Sequence, residues 1–424
     1  MGSPSLAFIF ESTVLEEWIA RQREHAIAGL LRSISAPVVK SRLGFGQVIV
    51  PAKGSVVASP VPASYDPDPD YFFHWFRDSA PVMDALALVR DAVPGSGRLF
   101  QDFVDFSLAL SRLDGRRMPA DWAAATAPDF VRFLRRDIGH AHGDAILAET
   151  RVNPDGTLDI SDWPRPQYDG PALRALALLR WGATREAEIS LLKQDLAFVL
   201  AHARQPCFDI WEEDIGLHYY TVSVCEAALA AGAAWCRSFD QPLWAECQQE
   251  KDRLTDLRQT FWLQDESYIR SRILPQGRSA KELDISVVLA ANHARQACDL
   301  RLIATLDRLD GLFRDSYAIN RHHGPGPAMG RYAGDHYYSG GAYFFSTLGA
   351  AEFCYRMGER TRGDAFLETV RRFTPDSGSM AEQFDQATGA QTSAKDLAWS
   401  HAAFLTCIHA RAVGERGGAS HDGV

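Results

Sequence analysis

The hexapeptide Phe208-Asp209-Ile210-Trp211-Glu212-Glu213 sets two carboxylates directly after a tryptophan. Burial against an indole disfavours an ionised carboxylate and a neighbouring negative charge disfavours it further, so one of the pair can keep its proton near neutral pH. A general acid needs that state. Taken alone, the triplet fits better the first turn of a helix through Val222, Cys225, Leu229 and Trp235, where the acids would complement the helix dipole in water.

Four more stretches change that balance: Asp70-Tyr71-Phe72-Phe73-His74-Trp75-Phe76-Arg77-Asp78; Trp163-Pro164-Arg165-Pro166-Gln167-Tyr168-Asp169-Gly170; Gly330-Arg331-Tyr332 with Asp335 to Tyr338; and Ser379-Met380-Ala381-Glu382-Gln383-Phe384-Asp385. Each offers planar rings to stack on the apolar face of a sugar and charged forks to hold its hydroxyls. Read in isolation, Asp78 as a helix cap beside an exposed Arg77 is an equal alternative.

The elements that must position these stretches are helical. Apolar residues recur at helical spacing over about 12–34, 78–93, 99–113, 170–180, 186–203, 219–238, 243–262, 285–297, 300–313, 343–356, 363–373 and 394–412. Long, aromatic- and charge-bearing connections (66–77, 153–169, 207–218, 267–284, 321–341, 375–393) alternate with short ones. Helical hairpins whose long loops recur on one side predict an all-α fold, a closed double ring of helices with the functional loops at one end. No internal repeat marks a solenoid.

In this order the stretches resemble the glucoamylases, the inverting family-15 glycoside hydrolases. The match runs from about Asp66 to Trp399, through Tyr71 to Ser79, Trp163 to Ala172, Asp209 to Glu213, Gly330 to Tyr332 and Ser379 to Gln383. The resemblance implies an (α/α)6 barrel, in agreement with the dozen helices counted independently. It implies Glu212 as general acid, Glu382 as general base, and Glu213 as a ligand of hydroxyls beyond the cleaved bond. Arg77, Asp78 and Arg331 would clamp the terminal sugar, closing that end and making the enzyme exo-acting. Tyr71 and Gln383 would orient the base and its water, with Trp75, Trp163, Arg165, Tyr337 and Tyr343 among the substrate-binding residues. Inversion requires a water between the carboxyl groups, which should then stand roughly 6.5 to 9.5 Å apart. No cofactor and no metal is expected.

Departures from the family pattern bear on linkage. Phe76 stands where threonine is frequent, Pro164 where glycine is, and Tyr343 where many members carry tryptophan. His218, Tyr219 and Tyr220 bring bulky rings to the expected leaving-group side, and residues 119–137, with Phe130, Val131, Phe133 and Leu134, read as an insertion. The main expectation is release of β-glucose from α-1,4-linked malto-oligosaccharides. An α-1,6-preferring exo-glucohydrolase is the runner-up, ahead of a trehalase or a catalytically silent carbohydrate-binding barrel.

The formal net charge of -10, with 54 acidic and 44 basic residues, leaves no basic stripe, which argues against nucleic acid and anionic membranes as partners. An oligosaccharide fits better. The seven cysteines lack a Cys-x-x-Cys pair and read as buried free thiols. His140 with His142 and His322 with His323 lack a third ligand nearby and read as loop histidines. The N-terminus has no basic n-region and no stretch reaches membrane-spanning length, so a cytoplasmic protein is expected. Residues 1–413 are read as one catalytic domain without an added starch-binding module, suiting soluble oligosaccharides, and 414–424 as a disordered tail.

Overall fold

The computed structural model describes residues 6–63, 69–297, 299–321 and 326–418. Twelve helices carry the architecture: α1 (Leu6–Ser33), α2 (Phe76–Leu88), α3 (Ser96–Leu110), α4 (Asp169–Trp181), α5 (Glu186–His202), α6 (Tyr219–Cys236), α7 (Gln241–Gln259), α8 (Ser286–His293), α9 (Leu300–Ser316), α10 (Phe344–Arg356), α11 (Arg360–Phe373) and α12 (Ala398–Gly418). The even-numbered helices form an inner ring: α2 packs on α4, α4 on α6, and so on through α8, α10 and α12, which returns to α2. Odd-numbered helices lie outside, α7 against α6 and α11 against α10. This is the (α/α)6 barrel.

The sequence assigns each helix to its ring. In α6, Val222, Val224, Cys225, Ala228 and Leu229 are all fully buried, so the helix is apolar over most of its girth, as an element covered from two sides must be. In α11 only the stripe Gly363, Phe366, Leu367, Thr369 and Val370 is buried, while nearer the surface Arg362 pairs with Glu359 and Arg371 with Glu368. Gly170 lets two inner helices start in contact, since a Cβ there would come within 2.6 Å of Phe76 Cβ.

Strands of two to four residues stitch the long loops together just ahead of the inner helices. His74–Trp75 pairs with Arg151–Val152 before α2. Ile215–His218, before α6, lies between Cys207–Phe208 and Arg272–Ile273. Ala342–Tyr343, before α10, pairs with Gln383–Phe384, which pairs in turn with Gln391–Thr392. These inner helices therefore point their N-termini toward the end of the barrel where the loops are stitched.

Two expectations need amendment. The helix expected to reach Ala297 stops at His293, where Arg295 takes up φ +49 and the chain turns away. The segment 119–137 folds as turns with a short 3-10 stretch, Pro128–Phe133, whose Phe130 ring packs edge-on against Phe45 at 5.4 Å. Helix α12 carries on to Gly418, and the remainder of the expected tail lies outside the described residues. The six described cysteines are buried thiols. Among the described residues no helix is long and apolar enough to cross a membrane.

Candidate active site

Glu212 and Glu213 do not start a helix. They occupy the loop between Cys207–Phe208 and Ile215–His218, and α6 begins only at Tyr219. Asp209 ties the loop: its carbonyl accepts the Glu212 N–H at 3.0 Å and its Oδ1 accepts the Glu213 N–H at 2.8 Å. Glu212 is thereby held at φ +65. A non-glycine residue in that region costs roughly 1–3 kcal/mol, and such strain concentrates at functional sites.

Three donors converge on the Glu212 carboxylate. Trp75 Nε1 donates to Oε1 at 2.8 Å, an Arg77 amino group to the same oxygen at 3.0 Å, and Trp163 Nε1 to Oε2 at 2.5 Å. Arg77 stands in the first turn of α2 and also donates to Asp78 Oδ1 at 3.2 Å and Gln167 Oε1 at 3.1 Å. Burial works against its charge, but Asp78, Asp169 and Glu212 together keep it firmly protonated. Burial pushes the Asp78 carboxyl up to about 6, opposed by Arg77 and reinforced by Glu212, and Asp169 behind it is raised to about 6 for the same reason.

Glu382 lies across the site on the loop before Gln383–Phe384. Its surroundings are hydroxylic: Ser393 Oγ donates to Oε2 and Tyr71 OH to Oε1 at 3.3 Å, and Tyr71 OH in turn meets Tyr337 OH at 2.7 Å. Burial pushes Glu382 up to about 7, against the lowering pull of Ser393, Arg331 and Tyr71. The Tyr71 and Trp75 rings, 5.2 Å apart, stand between the two glutamates.

A third cluster surrounds Glu213. Lys281 Nζ donates to it at 2.7 Å, Arg331 approaches at 3.1 Å, and Tyr332 OH donates to it. Arg331 is locked by Asp335, which also accepts from Tyr343 OH at 3.2 Å, and Gln383 Nε2 donates to that phenol at 2.9 Å. Trp211, between the two loops, donates to Asp284 at 2.9 Å with Arg331 5.3 Å from its ring.

The structure thus gathers Tyr71, Trp75, Arg77, Asp78, Trp163, Glu212, Glu213, Arg331, Tyr337, Tyr343, Glu382 and Gln383 at the N-terminal end of the inner ring. Arg165 stands apart: it donates to Glu149 at 3.1 Å, buttressing the loop that carries Trp163. The rings expected on the leaving-group side also lie elsewhere. Tyr219 and Tyr220 are buried within the barrel wall, their hydroxyls reaching Gln296 at 3.0 Å and His293 at 2.6 Å, and His218 is buried against the Cys207 carbonyl. Tyr219 and Tyr220 begin α6, whose phase turns their rings against Phe261 and His293 in the barrel wall. His322 and His323 lie outside the described residues. Sequence reasoning passed over Lys281 and Ser393: a lone lysine in a polar loop and a serine after a threonine carry no pattern, and only the fold brings them to Glu213 and Glu382.

Comparison with known proteins bears on this arrangement. The model of the family described as glycosyl hydrolases family 15 matches residues 136–358 and 356–409. A "Probable glucoamylase" of Schizosaccharomyces pombe is 27% identical over 94% of this chain and 92% of its own length. "Glucoamylase P" of Amorphotheca resinae is 29% identical over 94% of this chain and 70% of its own. The solved glucoamylase of Hormoconis resinae superposes with a TM-score of 0.76 at 26% identity, covering 94% of this chain and 74% of that one.

Proposed function

Because the chain belongs to glycosyl hydrolases family 15 and is a glycoside hydrolase, we propose that it is an inverting, exo-acting α-glucosidase that releases β-glucose from the non-reducing ends of α-1,4-linked malto-oligosaccharides. The observation that carries this reading is the pair of buried glutamates at one end of the barrel, each held by its own donors, with Trp75 and Tyr71 between them.

Glu212, as the general acid, gives a proton to the glycosidic oxygen as the C1–O bond breaks. The carboxylate left behind is solvated by Trp75, Trp163 and Arg77, donors already in place before the reaction. Glu382, ionised, takes a proton from a water whose oxygen attacks C1 on the opposite face. Burial makes Glu382 the stronger base, and a base titrating near the working pH is the efficient one. One displacement inverts an α link to a β product. Arg77 and Asp78, buried at the start of α2, suit the terminal-sugar clamp that makes attack exo.

Crowding around Glu213 favours a second reading. Its oxygens are engaged by Lys281, Arg331 and Tyr332, so hydroxyls of a directly attached sugar compete with these donors. An α-1,6 link adds a rotatable bond and carries the second sugar aside, which lessens that competition.

Proton NMR of a fresh maltose digest tests the mechanism. The β-anomer should accumulate first; an initial excess of α-glucose would remove Glu382 from its role as base for water. Comparing kcat/KM on maltose, maltotriose, isomaltose and isomaltotriose decides between the two linkages.

A further inference from the structure

The opposite end of the barrel is built differently. A cavity of about 440 Å³ lies on the barrel axis, walled by Leu173, Ala177, Ala227 and Ala402 with Trp399 at its inner end. It shares Asp84, Arg180, His293, Arg295 and Thr406 with a wider space of about 690 Å³. Protein interiors are close-packed, so an unfilled volume lined by alanine and leucine on the axis of a helical ring is an exception that calls for a cause.

The cause is visible in α8. Its eight residues rise about 12 Å, whereas the other inner helices run from 13 to 21 residues, so the wall is low on that side and the axis opens. The chain turns at Arg295, whose N–H caps the Asn292 carbonyl at 3.1 Å with φ +49, the left-handed position usually given to glycine. An arginine there places a cation at the mouth.

The buried and half-buried charges beside it are paired. Arg180 pairs with Asp84. Arg356 donates to the Asn292 carbonyl at 2.6 Å and lies 3.8 Å from Glu352, which accepts from Thr406 at 2.7 Å. Arg90 and Asp91, adjacent in the chain and exposed, bring one charge of each sign to the outer rim. The Arg295 guanidinium makes no hydrogen bond or ion pair among the described residues, though Asp84, Glu352 and Arg356 feel its charge.

We infer that this far cavity is a second ligand site, taking a single-chain amphiphilic carboxylate whose hydrocarbon tail fills the alanine-lined axis and whose head pairs with Arg295. A wall separates it from the glutamates: Trp399 stacks on Phe345 at 4.2 Å, and His293 is bonded to Tyr220. A ligand here leaves the sugar site free.

Calorimetric titration of the full chain with sodium decanoate below its micelle concentration tests the site. The expected result is saturable binding of one decanoate, weakened about tenfold or more in Arg295→Gly. Glycine suits the left-handed turn, so this variant keeps its fold, which thermal melting checks. Decanol should bind the wild type no better than decanoate binds Arg295→Gly, and Ala403→Trp, which fills the axis, should remove binding. Adding maltose to Glu212→Gln should leave decanoate binding unchanged. No saturable binding, equal affinity in wild type and Arg295→Gly, or displacement by maltose would each overturn the assignment.

Discussion

Glu212 and Glu382 are both buried carboxylates at the same end of one barrel, yet their surroundings differ in kind. Glu212 sits among N–H donors, two indoles and a guanidinium, on a strained turn held by Asp209. Glu382 sits among hydroxyls, with Ser393 and Tyr71 as donors and the nearest guanidinium, that of Arg331, bound to Asp335 and Glu213. Fixed N–H dipoles can only donate, so they suit a group that ends the reaction as an anion. Hydroxyls rotate and can both donate and accept, so they suit a group that begins as an anion and ends protonated. The difference divides the chemistry between two identical side chains.

The largest test of that division is to remove each acid in turn. Glu212→Gln and Glu382→Gln should each lower kcat on maltose by about 10³-fold, the scale of general acid or base catalysis, with unchanged thermal melting. If the roles are divided as argued, a substrate with a good leaving group, such as an aryl glucoside, rescues Glu212→Gln far more than Glu382→Gln, since only the first variant lacks a proton for the leaving oxygen. Equal rescue would erase the distinction.

A smaller effect is expected at the turn. Asp209→Ala removes the acceptor of the Glu213 N–H and so loosens the turn that holds Glu212 in its left-handed conformation, while the backbone bond to the Glu212 N–H remains. Misplacing a catalytic group by an ångström costs about 10²-fold, so kcat/KM should fall by that order while the Glu382 side is untouched. The acid limb of the pH profile, which belongs to Glu382, should stay where it is in Asp209→Ala. Movement of that limb would mean that the two regions are coupled.

The smallest effect sharpens the other side. As a base Glu382 works ionised, so with burial raising it to about 7 the acid limb of kcat/KM should rise with pH through that region. Ser393 donates to the charged form and holds the value down. In Ser393→Ala the limb should move to higher pH, giving about a tenfold loss at pH 6 that shrinks at pH 8, the effect of about one pH unit. A uniform loss at all pH values would make Ser393 a structural residue only.

Much of this arrangement was legible before the fold. Twelve stretches of helical spacing correspond to the twelve barrel helices, because apolar periodicity records which face is buried, and the charged aromatic loops between them carry most of the site. What escaped was of two kinds. Strands as short as Trp75 against Arg151 or Tyr343 against Gln383 have no period to read, although they fix the entry of α2 and α10. The phase of α6 at its first residues was also invisible: a local pattern marks Tyr219 and Tyr220 as helical, but only the neighbouring helices decide that they face the wall and not the sugar. Lys281 reaches Glu213 from 68 positions away, a contact that no local signal announces.

The closing of the ring has a consequence for how the protein comes into being on the ribosome. Helix α12 seals against α2 and α1, and Gln22 bonds the Gly378 carbonyl across 356 positions. Glu382, Ser393 and Trp399 are all synthesised after the first five inner helices. A nascent chain can pair its first helices as hairpins while the exit tunnel still holds α12, but its inner ring stays an open arc with an apolar edge exposed until that helix emerges. Closure then depends on contacts of very long sequence separation, the slow kind to form. Activity should therefore emerge abruptly once α12 leaves the tunnel, with the unclosed arc as the species that needs a chaperone.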